Sequence, residues 1–113
     1  MESRQWVIRK YVTKDGVCPF DEWFDKLSPT LQARIDVRLD RVKLGNFGDR
    51  KSIKGGIFEL RLQFGAGYRI YFGLEGNQCV LLLAGGSKKT QTKDIKTAHR
   101  LWKMYQKEIG NTE

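Results

Sequence analysis

The spacing of hydrophobic residues changes period along the chain. Residues 6–12 (WVIRKYV) read as a first strand, closed by the turn Lys14-Asp15-Gly16. Residues 19–27 (PFDEWFDKL) read as a short helix, with Pro19 at its start and Asp21 and Glu22 where the helix dipole favours acids. Ser28-Pro29 restarts the chain, serine as an N-cap and proline at the first helical position. Leu31, Ile35, Leu39 and Val42 then recur at helical spacing, and Gly45 and Gly48 end the run. Residues 19–44 are therefore expected to form a helical hairpin.

From residue 57 the period is two. In residues 57–64 (IFELRLQF), Phe58, Leu60, Leu62 and Phe64 share one face, and Ile57, Glu59, Arg61 and Gln63 share the other. Gly65-Ala66-Gly67 reads as a three-residue turn, from which residues 68–72 (YRIYF) return. Pairing Phe64 with Tyr68 sets Leu62 opposite Ile70, Leu60 opposite Phe72, Gln63 opposite Arg69 and Arg61 opposite Tyr71. After a turn at Gly76-Asn77, residues 78–84 (QCVLLLA) are apolar on both faces and read as an interior strand. A loop over 85–91 leads to a helix over 92–109. Ile95, Ala98, Trp102, Tyr105 and Ile109 form its expected buried stripe, and Lys93, Lys96, Arg100, Lys103 and Lys107 a basic one. The predicted order is β-α-α-β-β-β-α, an α+β fold in which an antiparallel meander packs against helices, one domain over residues 1–113. Parallel pairing through the helical crossover is one option for the first strand, whose place in the sheet the pattern leaves open.

Bulk properties narrow the class. No apolar run approaches the ~18 residues of a membrane span. The N-terminal MESRQWVIRK has no apolar stretch followed by a cleavage site, so cytoplasm is the expected location. Cys18 and Cys79 lie far apart with no CxxC, Cys79 in a strand-like run as a small core residue, and the single histidine is His99. Neither a zinc site nor a disulfide is expected, and no cofactor or small-molecule substrate is indicated.

Charge changes the picture more. The net charge is +8, and residues 50–103 hold eleven Lys or Arg against three Asp or Glu, while the remainder is close to neutral. A field concentrated in this way favours a polyanionic partner. Arg61 and Arg69 fall on the polar face of the meander beside Gln63 and Tyr71. The helices are expected to cover the other face. Lys88 and Lys89 follow the last strand, and Lys51 and Lys54 precede the second. Such a face suits a phosphodiester backbone, with arginine gripping phosphate bidentately and Tyr71 stacking on a base. The plainer reading is that Arg61 pairs with Glu59 and only solubilises the sheet. The mixed charges of the helical hairpin (Arg34, Asp36, Arg38, Asp40, Arg41) read as a solvated face.

RNA can be cut by its own neighbouring 2′-hydroxyl, which needs a base, a leaving-group acid and cations for the extra charge on phosphorus. His99 falls on the flank of the last helix beside its core stripe. The remaining candidates are tyrosines and lysines. A lysine crowded by cations can serve as base, and Lys88 or Lys89 qualifies.

Four motifs in order, Glu59-Leu60-Arg61, then residues 67–72 (GYRIYF), 81–91 (LLLAGGSKKTQ) and Asp94-Ile95, resemble the RelE/ParE superfamily of bacterial toxins. The pattern is most like its phage-related, HigB-like "addiction module killer protein" branch. The resemblance spans nearly the whole chain and is specific over residues 55–98. It implies a type II toxin neutralised by a small cognate antitoxin. Many such toxins cut mRNA on the ribosome by the 2′-hydroxyl route without a metal, whereas the ParE branch poisons DNA gyrase. A non-catalytic relic that binds antitoxin or RNA is a third outcome. The resemblance places Arg69 on the scissile phosphate and Arg61 and Lys89 at further basic positions, while the basic face itself offers Lys51, Lys54, Gln63, Tyr71 and Lys93 as the expected RNA contacts. Two lysines that RelE carries before the hairpin are replaced here by Ile57 and Glu59. Its C-terminal catalytic tyrosine aligns near Ile95. Lys51, Lys54 or Lys88 are the candidate substitutes.

Overall fold

The computed structural model describes residues 5–110, so the first four residues of the N-terminal stretch read above lie outside it. Strand β1 (Val7–Lys10) leads to helices α1 (Pro19–Phe24) and α2 (Pro29–Lys43). Strands β2 (Arg50–Ile53), β3 (Ile57–Arg61), β4 (Arg69–Glu75) and β5 (Cys79–Gly86) follow, then a 3-10 turn over Lys88–Thr90 and helix α3 (Gln91–Gly110). This is the expected α+β architecture of RelE type, with one strand more than the pattern showed. The sheet runs β1-β5-β4-β3-β2. β1 pairs parallel with β5, Ile8 against Val80, so the helical crossover settles its place. The other pairs are antiparallel. Among the described residues no helix is long and apolar enough to cross a membrane.

The helical hairpin forms for the expected reasons. Ser28 caps α2, its Oγ accepting from the Leu31 N–H at 3.3 Å, with Pro29 beginning the helix. Gly45 ends it at φ 89°, a conformation that favours glycine. One member of the expected solvated face is not solvated. Arg38 is half-buried and donates to the carbonyls of Arg61, Phe47 and Asp49 at 2.6, 2.9 and 3.1 Å, fastening α2 to the end of β3.

Helices cover both faces of the sheet. α1 and α2 pack over Leu60, Leu62, Ile70, Phe72, Val80 and Leu82. α3 packs over the face read as polar, where Ile57, Tyr71, Leu81 and Leu83 meet Ala98, Leu101 and Trp102. Tyr71 is therefore core. Its side chain is fully buried, and the expectation that it stacks on a base is overturned. α3 fits because Gly73 and the turn glycines Gly55 and Gly56 make room. Trp102 lies on Gly73 and Gly56, and His99 lies on Gly55. The buried stripe of α3 includes Leu101, and Ile109 is 45% exposed rather than buried. Cys79 is half-buried at the start of β5, and both cysteines are free thiols.

The hairpin register also differs from expectation. Observed pairs are Leu60 with Ile70, Arg61 with Arg69 and Glu59 with Tyr71, and the Leu62 N–H donates to the Tyr68 carbonyl at 2.9 Å. The loop is five residues long, not three, with Gly65 and Gly67 at φ 58° and 69°. A two-residue slip keeps every side chain on its face, so the alternation alone could not reveal it. β4 and β5 carry a register shift at Tyr71/Phe72: Tyr71 pairs with Ala84 and Phe72 with Leu82, leaving Leu83 as an additional residue.

Two predictions follow from this packing. A Cβ at Gly73 would overlap the Trp102 ring, and one at Gly85 would overlap Trp23. Gly73→Ala and Gly85→Ala should each cost ~1–3 kcal/mol in urea unfolding through overpacking. Gly76→Ala, whose Cβ would meet nothing within 4 Å at φ 64°, should cost about 1 kcal/mol, from backbone conformation alone. The second concerns alkali. Burial and a 2.8 Å hydrogen bond donated to Glu108 push the Tyr11 hydroxyl from 10.0 up to about 12. Because the folded state holds that proton more tightly, its contribution is complete below pH 10 and is lost as pH rises through about 12. The urea midpoint should fall across that window, and less steeply in Tyr11→Phe.

Candidate functional site

The observed register sets Arg61 and Arg69 directly opposite each other on neighbouring strands. Like charges so placed repel. Glu59 lies two residues before Arg61 on the same face and resolves the conflict. It is completely buried, the one charged residue so placed among those described. Arg61 Nε donates to Glu59 Oε1 at 3.0 Å, and Arg69 Nε lies 3.5 Å from Oε2. Gln91, the first residue of α3, donates its Nε2 to Oε2 at 2.8 Å. One carboxylate from β3 thus holds a guanidinium on each of two strands and the start of a helix. The Glu59 hydrogen bond raises the pKa of Arg61 further above its usual value, so it stays charged. Burial, then the charge of Glu59, pushes the Tyr71 hydroxyl up as well. That hydroxyl lies beside the carboxylate without a well-formed hydrogen bond.

The arginines retain binding capacity. Arg69 Nη1 donates to the Gly67 carbonyl at 2.5 Å, which fastens the guanidinium against its own loop. Its Nε is buried and makes no hydrogen bond. Arg61 spends its Nε on Glu59, and its side chain is 34% exposed. Guanidinium offers five donors in a planar fork, so both side chains keep N–H groups for an anion.

These groups open onto a cleft of ≈ 650 Å³ beneath the 63–67 loop, bordered by Arg61, Gln63, Tyr68, Arg69 and Lys88. The Lys88 N–H donates to the Ala66 carbonyl at 3.3 Å, joining the loop to the segment after β5. Gln63 donates to Asp49 at 2.5 Å, so its amide is partly engaged.

The structure therefore gathers Arg61, Arg69, Lys88 and Gln63 in one place. It disperses the others. Lys89 and Lys93 line a separate groove of ≈ 640 Å³ along α3 with Lys96 and Arg100. Lys51 lies on the edge strand β2 beside Glu59, exposed. Lys54 is in the β2–β3 turn, at the far end of β3 from the cleft. His99 packs at that same far end, on Gly55. Arg50 faces the other way, its guanidinium 4.6 Å from the Phe47 ring and 5.4 Å from Phe58. The pairing of Arg61 with Glu59, weighed from the sequence, is present, but pattern reading missed that Glu59 is buried and also holds Arg69 and Gln91. A signal existed for the burial, a lone acid inside a hydrophobic alternation in the most basic part of the chain.

Two comparisons bear on this geometry. A protein of Haemophilus influenzae (strain Rd) with no described activity is 47% identical over 92 residues, covering 80% of this chain and 89% of that protein. The family described as phage derived protein Gp49-like (DUF891) matches residues 22–110, which include the cleft, Glu59 and the whole of α3. The chain belongs to this Gp49-like family, which is associated with the toxins of toxin–antitoxin modules and so implies an antitoxin partner.

Proposed function

We propose that the chain is a toxin that cuts mRNA on the ribosome, inhibiting translation until its antitoxin covers it. One observation carries the reading: Arg61, Arg69 and Lys88 border a single cleft, with both guanidiniums oriented by a buried carboxylate. In the reaction the 2′-hydroxyl attacks the adjacent phosphorus and the 5′-oxygen departs, leaving a cyclic phosphate and a 5′-hydroxyl. Negative charge grows on the phosphoryl oxygens as the bond forms. Preorganised N–H donors stabilise that charge without reorganising at the moment of reaction. Arg69, drawn in by Glu59 and the Gly67 carbonyl, suits the phosphate oxygens, with Arg61 opposite. Lys88, on the wall of the cleft, is the candidate lysine for proton transfer. Glu59 is buried too deeply to touch substrate, so its role is to position the arginines.

A second reading keeps the toxin and changes the target. His99 lies away from the cleft, so the chain brings no histidine to the phosphate. A poison of DNA gyrase needs no such group. It would arrest growth with DNA breaks and intact mRNA. A relic that only binds antitoxin or RNA would not arrest growth.

Induced expression without antitoxin, followed by sequencing of RNA 5′-hydroxyl ends, separates these readings. New cuts in translated mRNAs are expected. Arg69→Ala should reduce cutting by about 10²–10³-fold, the loss typical of removing one transition-state donor, with the fold intact by circular dichroism. Cutting undiminished in both Arg69→Ala and Arg61→Ala would displace the site from this cleft. Glu59→Gln keeps the shape but removes the charge between two opposed guanidiniums. It should lose ~1–3 kcal/mol of stability and lower cutting at least about tenfold. Adding Arg61→Ala to Glu59→Gln should recover stability, because one of the opposed charges is then gone. Equal stability of the single and double variants would contradict the clamp.

A further inference from the structure

The arginine cleft does not end at Tyr68. Ala66 and Tyr68, on its wall, also line a second hollow of ≈ 620 Å³ between α1 and the start of α3. Two aromatic rings bound this hollow. Trp23 comes from α1 and Tyr68 from the residue before Arg69, with centroids 6.3 Å apart and planes inclined at 56°. Both residues are half-buried, so part of each ring stays open to the hollow.

Both rings are held in place. Trp23 rests on Gly85, where any side chain would overlap it, and meets Phe20 at 5.7 Å. Tyr68 rests on Gly65, where a Cβ would come within 2.9 Å of the ring, and meets Phe64 at 5.9 Å. Lys26 and Lys93 stand at the rim together with Glu22 and Asp94. Asp94 is already engaged by the Thr90 hydroxyl.

Successive residues of an extended chain point to opposite faces, so Tyr68 and Arg69 reach different parts of whatever crosses the cleft. Single-stranded nucleic acid is bound by this combination, cations along the backbone and fixed rings for the bases. We infer that Trp23 and Tyr68 form a base-binding subsite that takes the nucleobase flanking the phosphodiester held by Arg61 and Arg69, and so sets the base preference of cutting. The inference rests on the nuclease reading above. Rings pinned by two glycines give a base a face already in position, whereas a mobile aromatic pair would have to be ordered on binding.

The test compares wild type, Tyr68→Phe and Tyr68→Leu by mapping 5′-hydroxyl ends after induction without antitoxin, each variant's fold checked by circular dichroism. Tyr68→Phe keeps the ring and should keep the base preference beside the cut. Tyr68→Leu should lower Arg69-dependent cutting by about fivefold or more, the lower end of what stacking on one base contributes, and flatten the preference among the cuts that remain. Tyr68→Met serves as a second ring-free variant where Tyr68→Leu does not accumulate folded. Unchanged preference in the ring-free variants overturns the subsite and leaves the nuclease reading standing. Unchanged cutting combined with escape from a co-expressed antitoxin gives the hollow to a protein partner, and also overturns it. Absence of Arg69-dependent cuts in the wild type overturns both.

Discussion

Two guanidiniums placed face to face on adjacent strands repel, and Glu59 is what makes the arrangement stable. Burying one carboxylate without partners would be prohibitive. Burying it between Arg61, Arg69 and Gln91 is not, because each oxygen meets an N–H donor or a cation. The three cationic or polar partners come from β3, β4 and α3. The same contact that removes the repulsion therefore docks the final helix onto the sheet. Structure and site share one interaction. The cluster still carries a net positive charge, and the cleft beside it offers that charge to an anion.

The helix on the other side of this contact is fitted by subtraction. Trp102 reaches the sheet only because Gly73 has no side chain, and His99 and Trp102 lie close against Gly55 and Gly56 of the β2–β3 turn. The consequence is a division of one sheet face. Its middle is dry, with Tyr71, Leu81 and Leu83 beneath α3. Its end, past the first turn of that helix, is where the arginines emerge.

Much of this was legible in the sequence. Caps, prolines and apolar spacing placed both hairpin helices, and the change of period placed the meander and assigned each residue to its face. The partners across the hairpin were not legible, since period two is blind to a slip of two residues. β2 was missed because Arg50, Lys51 and Ser52 are exposed, and an edge strand so polar carries no hydrophobic alternation. The burial of Tyr71 depends on a helix arriving about thirty residues later in contact with a glycine, which no local pattern encodes. The role of Glu59 was hidden for the first of these reasons. Only the true register brings the two arginines together, and only then does a lone acid become necessary.

The parallel pairing of β1 with β5 sets the order in which the molecule can be completed. Ile8 finds its partner Val80 only after the whole helical hairpin and three intervening strands exist. Glu59 finds Gln91 only when α3 follows. Contacts this distant in sequence are the slow ones to form. A nascent chain thus carries its pair of arginines before Lys88 can close on Ala66 or Gln91 on Glu59, and the cleft is complete only once the start of α3 has been made.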